Sequence, residues 1–303
     1  MKILLIAGGW SSERDVSLAA VPVIRKGLEE LGHTVTFFDL MTGFDSLLAA
    51  AREHDFAFID LHGAPGEDGL VQAMLDSVGC PYQGAGAPGS FLALNKACAK
   101  QIFKEAGIPT ADWEFLPTMP DASWEPRLPY PLFVKANMGG SSLHLGRASN
   151  REELDALLRD ILAQSQGAIL EPALPGRDVT CAVLGDRALP PILILPQKGS
   201  YFDYESKYED GGAKEICPAP IPEDVTRRMQ EYTLKAVEAL GLDGYGRADF
   251  ILGDDGSLHI LEVNTIPGMT EASLVPKAAR AAGMSFAEFL GELIKLGLER
   301  RGR

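Results

Sequence analysis

Short apolar runs alternate with amphipathic stretches along the chain, the pattern of an α/β protein. Residues 2–6 form a short run that is apolar after Lys2, which is typical of a buried strand. A helix is expected to follow to about Leu31, with Gly32 as its C-cap and a start near Ala19, so that Pro22 lies in the first turn. A strand, a Gly-Gly loop and a helix in this order open a doubly wound unit with a ligand site at the carboxyl end of the strand.

The same criteria predict elements over most of the remaining chain. Strands are expected at residues 35–38, 56–61, 131–135, 168–171, 179–184 and 191–195, and helices from about Leu70, at 96–105 and at 223–240. Residues 197–213 break the pattern, because they are polar, rich in aromatic residues and glycine, and too long for a hairpin turn. Irregular loops of that length are commonly lids over active sites, although a solvated loop is the plainer interpretation.

Residues 244–270 carry the strongest chemical signal. Two apolar runs, 248–252 and 258–263, flank an Asp-Asp-Gly-Ser turn, and Asp-Gly in this setting predicts a β-hairpin. If the strands pair, alternation lets Asp249, Glu262 and Asn264 converge on one face. Three oxygen donors suit a hard cation such as Mg²⁺, with substrate phosphate oxygens completing its shell. A solvated acidic face is the ordinary alternative for such a pattern, but here the glycine-containing turn at 265–270 follows directly. Open backbone N–H groups beside such a site suit acyl or phosphoryl chemistry.

Three further segments place chemistry-bearing residues at predicted strand or helix ends. Glu13 lies in the loop after the first strand, and His62 opens a loop with three glycines and one proline after another; lone residues of either type are more often structural. The predicted strand at 131–135 delivers Lys135 into a glycine-rich loop that could approach phosphate closely, although the P-loop pattern is absent. Asn95-Lys96 could equally be a helix-capping pair.

Composition narrows the class of protein. A chain of 303 residues exceeds what one core usually serves, so two or three domains are expected. A net charge of −14 argues against a nucleic-acid or anionic-membrane partner. The sequence contains no 18-residue apolar run, and its four cysteines have no metal-type spacing, so we expect free thiols and a cytoplasmic location.

Taken together, these motifs closely resemble those of bacterial D-alanine–D-alanine ligases, members of the ATP-grasp superfamily, from Gly8 to Leu296. The resemblance is carried by GRADF, LEVNTIPGMT and SLVPKAARAAGMSF near the C-terminus, by HGAPGEDG after His62, and by YESKY in the predicted lid. It implies an α/β, in part α+β, fold of three domains, with an N-terminal Rossmann-like (pre-ATP-grasp) domain at 1–92. The two ATP-grasp subdomains would span 93–180 and 181–303, with ATP between them and a lid loop at 197–213.

The resemblance also implies an activity, the ATP-dependent joining of two D-alanines for peptidoglycan precursor synthesis. The first D-alanine would form an acyl phosphate, and the amine of the second would displace phosphate. Glu13 would hold the first ammonium, and Arg247 and the Gly268 N–H would form the oxyanion site. The other implied substrate contacts are His62, Lys207, Ser273 and Leu274.

For the nucleotide, the resemblance implies Mg²⁺ (two ions, with Mn²⁺ possible) on Asp249, Glu262 and Asn264. A hydrogen-bond network would join Tyr208 to Glu13 and Ser141. Glu171 would lie near the adenine amino group and Asp178 on the ribose hydroxyls. The remaining implied ATP contacts are Lys96, Lys135, Ser141, Ser142 and Lys207. A homodimer is also expected, from the family alone.

Departures from the family pattern keep alternatives open. Asn95, Ala136 and His144 replace the usual Asp, Pro and Gly, and Trp10 lies near Glu13. A related ligase that uses another amino acid, or a hydroxy acid such as D-lactate, is therefore one alternative. A nucleotide-binding regulatory protein that has lost catalysis is another. The intact lysine, arginine and metal-ligand positions argue against it, because a decaying site usually loses its metal ligands.

Overall fold

The structure is a computed structural model of the chain, and it describes residues 1–139, 145–165, 167–197 and 212–301. Among these residues, no helix is long and apolar enough to cross a membrane.

The first unit is built on a parallel sheet of three strands in the order β2-β1-β3. All five residues after Lys2 in β1 are buried, as its apolar sequence predicts. The elements are β1 (Lys2–Ala7), α1 (Arg14–Glu30), β2 (Thr34–Asp39), α2 (Phe44–Arg52), β3 (Phe56–Asp60) and α3 (Leu70–Ser77).

Helix α1 begins earlier than the sequence predicted. It starts at Arg14 instead of near Ala19, so Pro22 lies inside the helix and not in its first turn. Burial of the face containing Ile24 and Leu28 therefore outweighs the hydrogen bond that proline removes. The predicted end is confirmed: Gly32 has φ +81° and donates its N–H to the Glu29 carbonyl, as a glycine that ends a helix does.

The second unit contains two helices, then an antiparallel four-stranded sheet in the order β4-β7-β5-β6 with one covering helix. Helix α6 starts with a reciprocal cap, in which Asn150 accepts from the Glu153 N–H while the Glu153 carboxylate accepts from the Ser149 N–H. The elements are α4 (Ala87–Leu94), α5 (Lys96–Glu105), β4 (Glu114–Leu116), β5 (Leu132–Ala136), β6 (Leu145–Ala148), α6 (Arg151–Gln164) and β7 (Ala168–Pro172).

The third unit is an antiparallel six-stranded sheet in the order β11-β10-β8-β12-β13, with β9 on β8. The change of sheet falls between Pro172 and Arg177, a few residues before the domain boundary proposed at 180/181. The elements are β8 (Arg177–Leu184), β9 (Arg187–Ala188), β10 (Ile192–Pro196), β11 (Ala213–Ile216), α7 (Glu223–Ala239), β12 (Tyr245–Leu252), β13 (Leu258–Asn264), α8 (Leu274–Ala281) and α9 (Phe286–Arg301).

The first and third units share an apolar core. Helix α9 packs against α1, and the cluster that contains Phe56 and Phe58 of β3 also contains Tyr245 of β12 and Met269. This shared core fixes the loops that follow β1 and β3 against the end of β13, which is where the predicted site residues lie.

Candidate functional site

A cavity of about 510 Å³ opens where the first and third units meet α5. Ligand sites of this size are normally concave and carry a few convergent polar groups. Nine of the predicted site residues line it: Glu13, His62, Lys96, Arg247, Glu262, Asn264, Gly268, Ser273 and Leu274.

The predicted β-hairpin forms and places its oxygen-bearing residues as expected. In the pairing of β12 with β13, Asp249 lies directly opposite Glu262, and Arg247 opposite Asn264. Directly opposed residues of an antiparallel pair point to the same face, so these four side chains share one face. A β-bulge after Asp249 leaves this alternation undisturbed on the site side of the hairpin.

Each of these oxygen donors has a protein partner. Arg247 donates two hydrogen bonds to the Asp249 carboxylate, both at 2.8 Å, and the Thr180 hydroxyl donates a third at 2.6 Å. The Glu262 carboxylate lies 3.1 Å from the Lys96 ammonium. Asn264 Oδ1 accepts from the Ile266 N–H at 2.9 Å, which fixes the start of the following turn.

The donor set fits a small hard cation. Two carboxylates and one amide oxygen on a single sheet face match the one or two carboxylates that Mg²⁺ usually takes from protein, with water and phosphate supplying the rest. Among the described residues no group of three or more His, Cys, Asp and Glu side chains is gathered as a metal site.

Lys96 links the hairpin to the glycine-rich loop. Its ammonium donates to the Gly139 carbonyl at 2.5 Å as well as pairing with Glu262. The neighbouring Asn95 caps helix α5, because its side chain accepts from the Cys98 N–H at 3.1 Å. The helix-capping interpretation is confirmed for Asn95, and Lys96 reaches the cavity, where its contact with ATP phosphates stays a prediction.

Glu171 lies between two lysines, and sequence reasoning missed one of them. Lys135 Nζ lies 2.5 Å from the Glu171 carboxylate, and Lys100, which is only 1% exposed, pairs with its other oxygen. Burial alone would raise the pKa of Glu171, but Lys135 and Lys100 lower it to about 2. Burial lowers the pKa of Lys100, whereas for Lys135 the charge of Glu171 outweighs burial and the pKa rises. The four-residue spacing of Lys96 and Lys100, which places both on one helix face, was the available signal.

Glu67 is a second buried residue that sequence reasoning did not assign. It lines the cavity, accepts from the Gly63 N–H at 3.0 Å and is 6% exposed. Burial, with the nearby charge of Glu13, raises its pKa to about 8. Glu13 is itself buried, and its backbone N–H donates to the Ser11 hydroxyl at 3.2 Å, which holds the first turn of α1 at the cavity. Near neutral pH, burial therefore favours the neutral form of the Glu67 carboxyl group in this part of the cavity.

His62 joins the loop after β3 to the turn after β13. Its Nδ1 lies 3.1 Å from the Ile266 carbonyl oxygen, and burial, with the charge of Arg247, lowers its pKa to about 4. The same turn presents Gly268 to the cavity, followed by Ser273 at the N-cap of α8. The Ser273 hydroxyl accepts from the Thr270 N–H at 3.1 Å, which keeps this turn compact.

Other predicted residues lie away from the cavity lining or outside the described residues. Four of them are absent from the cavity lining: Lys135, Glu171, Asp178 and Asp249. Asp178 lies on β8, which pairs with β10 and β12. Their proposed contacts are with the nucleotide, or with its metal ion in the case of Asp249. Ser141, Ser142, Lys207 and Tyr208, with His144 and most of the predicted lid at 197–213, lie outside the described residues.

Comparison with known proteins gives a consistent result over the whole chain. A family model described as "D-ala D-ala ligase C-terminus" matches residues 102–295. The chain is 65% identical over 298 residues to the D-alanine–D-alanine ligase of Desulfovibrio desulfuricans, covering 98% of this chain and 97% of that one. It is 61% identical to that of Nitratidesulfovibrio vulgaris strain DP4, covering all of both chains. A crystal structure of the Bacillus anthracis enzyme complexed with ATP superposes with a TM-score of 0.89 at 32% identity, covering 100% of this chain and 99% of that one.

Proposed function

The chain belongs to the D-alanine–D-alanine ligase family and is an ATP-dependent ligase, and we propose that the cavity described above joins two D-alanines through an acyl phosphate. The observation that carries the proposal is the meeting of Glu13, Lys96 and Arg247 in one cavity with the Gly268 turn. An ammonium-binding acid, phosphate-binding cations and an oxyanion donor are the groups this chemistry needs. The α/β fold with its hairpin and paired lysines supports the ATP-grasp architecture.

In the first step, the carboxylate oxygen of one D-alanine forms a bond to the γ-phosphorus of ATP, and the bond from that phosphorus to the bridging oxygen of ADP breaks. Lys96 and Lys135 offset the repulsion between the carboxylate and the triphosphate, with Lys135 held in place by Glu171. Asp249, Glu262 and Asn264 would hold Mg²⁺, which supplies charge neutralisation to the transferring phosphoryl group when bound.

In the second step, the amine of the other D-alanine attacks the carbonyl carbon of the acyl phosphate. A C–N bond forms and a tetrahedral oxyanion develops. The oxyanion re-forms the carbonyl as phosphate leaves with the C–O bond electrons, and the departing phosphate takes up the proton that the nitrogen loses. We propose that the Arg247 guanidinium and the Gly268 N–H donate hydrogen bonds to that oxyanion. One such donor lowers the activation free energy by about 3–4 kcal/mol. Ser273 and Leu274 would contact the second substrate, together with Lys207. Closure of the 197–213 segment would exclude water from the acyl phosphate.

Replacing Glu262 by Gln tests the metal assignment. The change keeps the shape of the side chain but removes the charge that faces Lys96, so ligation should fall below about a tenth of the wild-type rate, a barrier increase of at least about 1.4 kcal/mol. Asp249→Asn should lower the rate less, because Asp249, unlike Glu262, lies outside the cavity lining. ADP and dipeptide are measured together at saturating ATP and Mg²⁺.

The matched control is Glu30→Gln, an exposed acid at the end of α1, which should leave turnover unchanged. Wild-type turnover in Glu262→Gln would contradict the metal assignment. To test the substrate assignment, D-alanine and D-lactate are supplied together and the product is identified by its mass. A product that is mainly the ester would contradict the assignment. We propose a homodimer and a cytoplasmic location as well, which equilibrium sedimentation and cell fractionation test.

A further inference from the structure

Asp60 is a buried acid for which the reaction as described has no role. It is the last residue of β3 and is fully buried, and neither carboxylate oxygen has a hydrogen-bond partner among the described residues. A buried polar group without a partner is costly, so native proteins rarely keep one without a reason.

The surroundings of Asp60 follow from the alternation of β3. Its side chain shares a face with Phe56 and Phe58, and that face packs in the core shared with Tyr245 and Met269. Among the described residues, no donor makes a hydrogen bond to the Asp60 carboxylate in this largely apolar core. Consistent with that, burial raises the pKa of Asp60 to about 8.

The ring nitrogen Nε2 of His62 lies close to the Asp60 carboxyl group. Nε2 of His62 is buried without a hydrogen-bond partner and lies 3.9 Å from Asp60 Oδ1. Because a carbonyl oxygen only accepts, the contact of Nδ1 with Ile266 puts the imidazole proton on Nδ1 and leaves a lone pair on Nε2. A lone pair and a carboxylate would repel each other, whereas a protonated carboxyl group donates to that nitrogen after a small side-chain rotation.

We propose that Asp60 is a positioning residue that donates a hydrogen bond from a neutral carboxyl group to His62 Nε2. This bond keeps His62 in the Nδ1–H tautomer, and the Nδ1–H holds the Ile266 carbonyl and with it the turn that presents Gly268 to the cavity. Its effect on catalysis rests on the proposed function of Gly268, but the protonation of Asp60 does not.

Other ionisable groups near the pair do not supply a competing charge to Asp60. Tyr245 of β12 is buried, and burial raises its pKa, so it stays neutral. Glu67, on the loop after His62, is held neutral by its own burial. The cation that acts on His62 is Arg247, which disfavours an imidazolium and is itself paired with Asp249. The neutral acid and neutral imidazole are therefore the favoured pair.

Spectroscopy of the resting enzyme tests the proton directly. At pH 6.5, infrared difference spectra between wild type and Asp60→Asn should show one protonated-carboxyl band that belongs to Asp60, and Glu67→Gln should remove a different band. Nitrogen-15 spectra of labelled histidine, assigned with His62→Gln, should show Nδ1 protonated and Nε2 accepting. Absence of the Asp60 band, or a doubly protonated His62 at pH 7, would overturn the proposal.

Kinetics of two replacements test the positioning role. Asp60→Leu has a similar size but no donor, so kcat should fall at least fivefold at pH 7 while the KM for ATP stays within twofold. Asp60→Asn has an amide N–H that can donate to Nε2, so it should recover at least half of the kcat and the Nδ1–H tautomer. Equal kcat in the two variants would refute the positioning role. If Asp60→Leu is poorly folded, the nitrogen-15 spectra of Asp60→Asn and the wild type are compared instead, and loss of the Nδ1–H tautomer in Asp60→Asn would refute it. Absence of ligation in the wild type would refute the proposed function and leave the spectroscopic result standing.

Discussion

The lysine-rich side of the site around Glu171 and the acid-rich side around Glu67 bury their carboxyl groups almost equally, at 3% and 6% exposure. Their charges nevertheless differ. Two lysines lower the pKa of Glu171 to about 2 against the effect of burial, whereas Glu67 has Glu13 nearby and its pKa rises to about 8. Among the residues that the structure describes, no lysine or arginine pairs with Asp60, and burial raises its pKa too.

The comparison shows that burial sets the cost of a charge, and the partner decides whether the charge is kept. On the Glu171 side, fixed positive charges suit the binding of a polyanion such as ATP. On the Glu67 side, a neutral acid avoids a second negative charge beside Glu13, which we propose binds an ammonium. One fold thus keeps two electrostatic environments, one in the cavity around Glu67 and one around Glu171.

The largest expected effect on stability comes from removing the Glu171 carboxylate that Lys100 and Lys135 share. Glu171→Gln leaves Lys100 and Lys135 buried together without a counter-charge, so the free energy of unfolding should fall by about 3–5 kcal/mol. Urea denaturation at pH 7 measures it, and Lys26→Met, which breaks the exposed pair with Glu30, is the control and should have little effect. Equal stability of the two variants would mean that the buried pairs contribute nothing.

Removing Lys100, one of the two cations that pair with Glu171, should lower the stability less. Lys100→Met keeps the packing of the aliphatic chain and leaves Glu171 paired with Lys135, so the free energy of unfolding should fall by about 1–3 kcal/mol. Lys100 also donates to the Thr110 hydroxyl at 2.7 Å, and that hydroxyl donates to the Ile260 carbonyl of β13. Part of the expected fall in stability therefore comes from losing the hydrogen bond between Lys100 and Thr110. The KM for ATP should rise as Glu171 and Lys135 shift, and an unchanged KM would confine Lys100 to a structural role.

An effect of the opposite sign, measured as a slope against pH, is expected at Glu67. Its pKa rises from 4.5 to about 8 on folding, so between these values the folded state keeps a proton that the unfolded state has released, and stability falls as pH rises. Glu67→Gln should match the wild type below the unfolded pKa of 4.5, where Glu67 is protonated in both states. Between pH 5 and 8, the free energy of unfolding of Glu67→Gln should fall less steeply than that of the wild type, with the two slopes differing by up to about 1.4 kcal/mol per pH unit. Parallel curves for the two proteins would show that Glu67 is ionised in the folded state.

Local patterns were sufficient for much of the fold and part of the site. The Asp-Gly turn and its flanking alternation predicted the hairpin and the shared face of Asp249 and Glu262, because both depend on short-range geometry. Helix α5 has the predicted bounds, since an asparagine cap and a glycine stop act locally. Helix α1 differed because burial of its apolar face against the rest of the protein outweighed the penalty at Pro22.

By itself the sequence determined the order of the elements, the acidic hairpin, the glycine-rich loops and a resemblance that the comparisons confirmed. Only the tertiary structure decided the protonation state of each acid. Lys100, Glu67 and Asp60 look ordinary in the sequence, because the pKa of a group depends on which charges and how much water surround it. Those surroundings come from α5, β3 and β7, which are far apart in the chain and meet only when the three sheets pack.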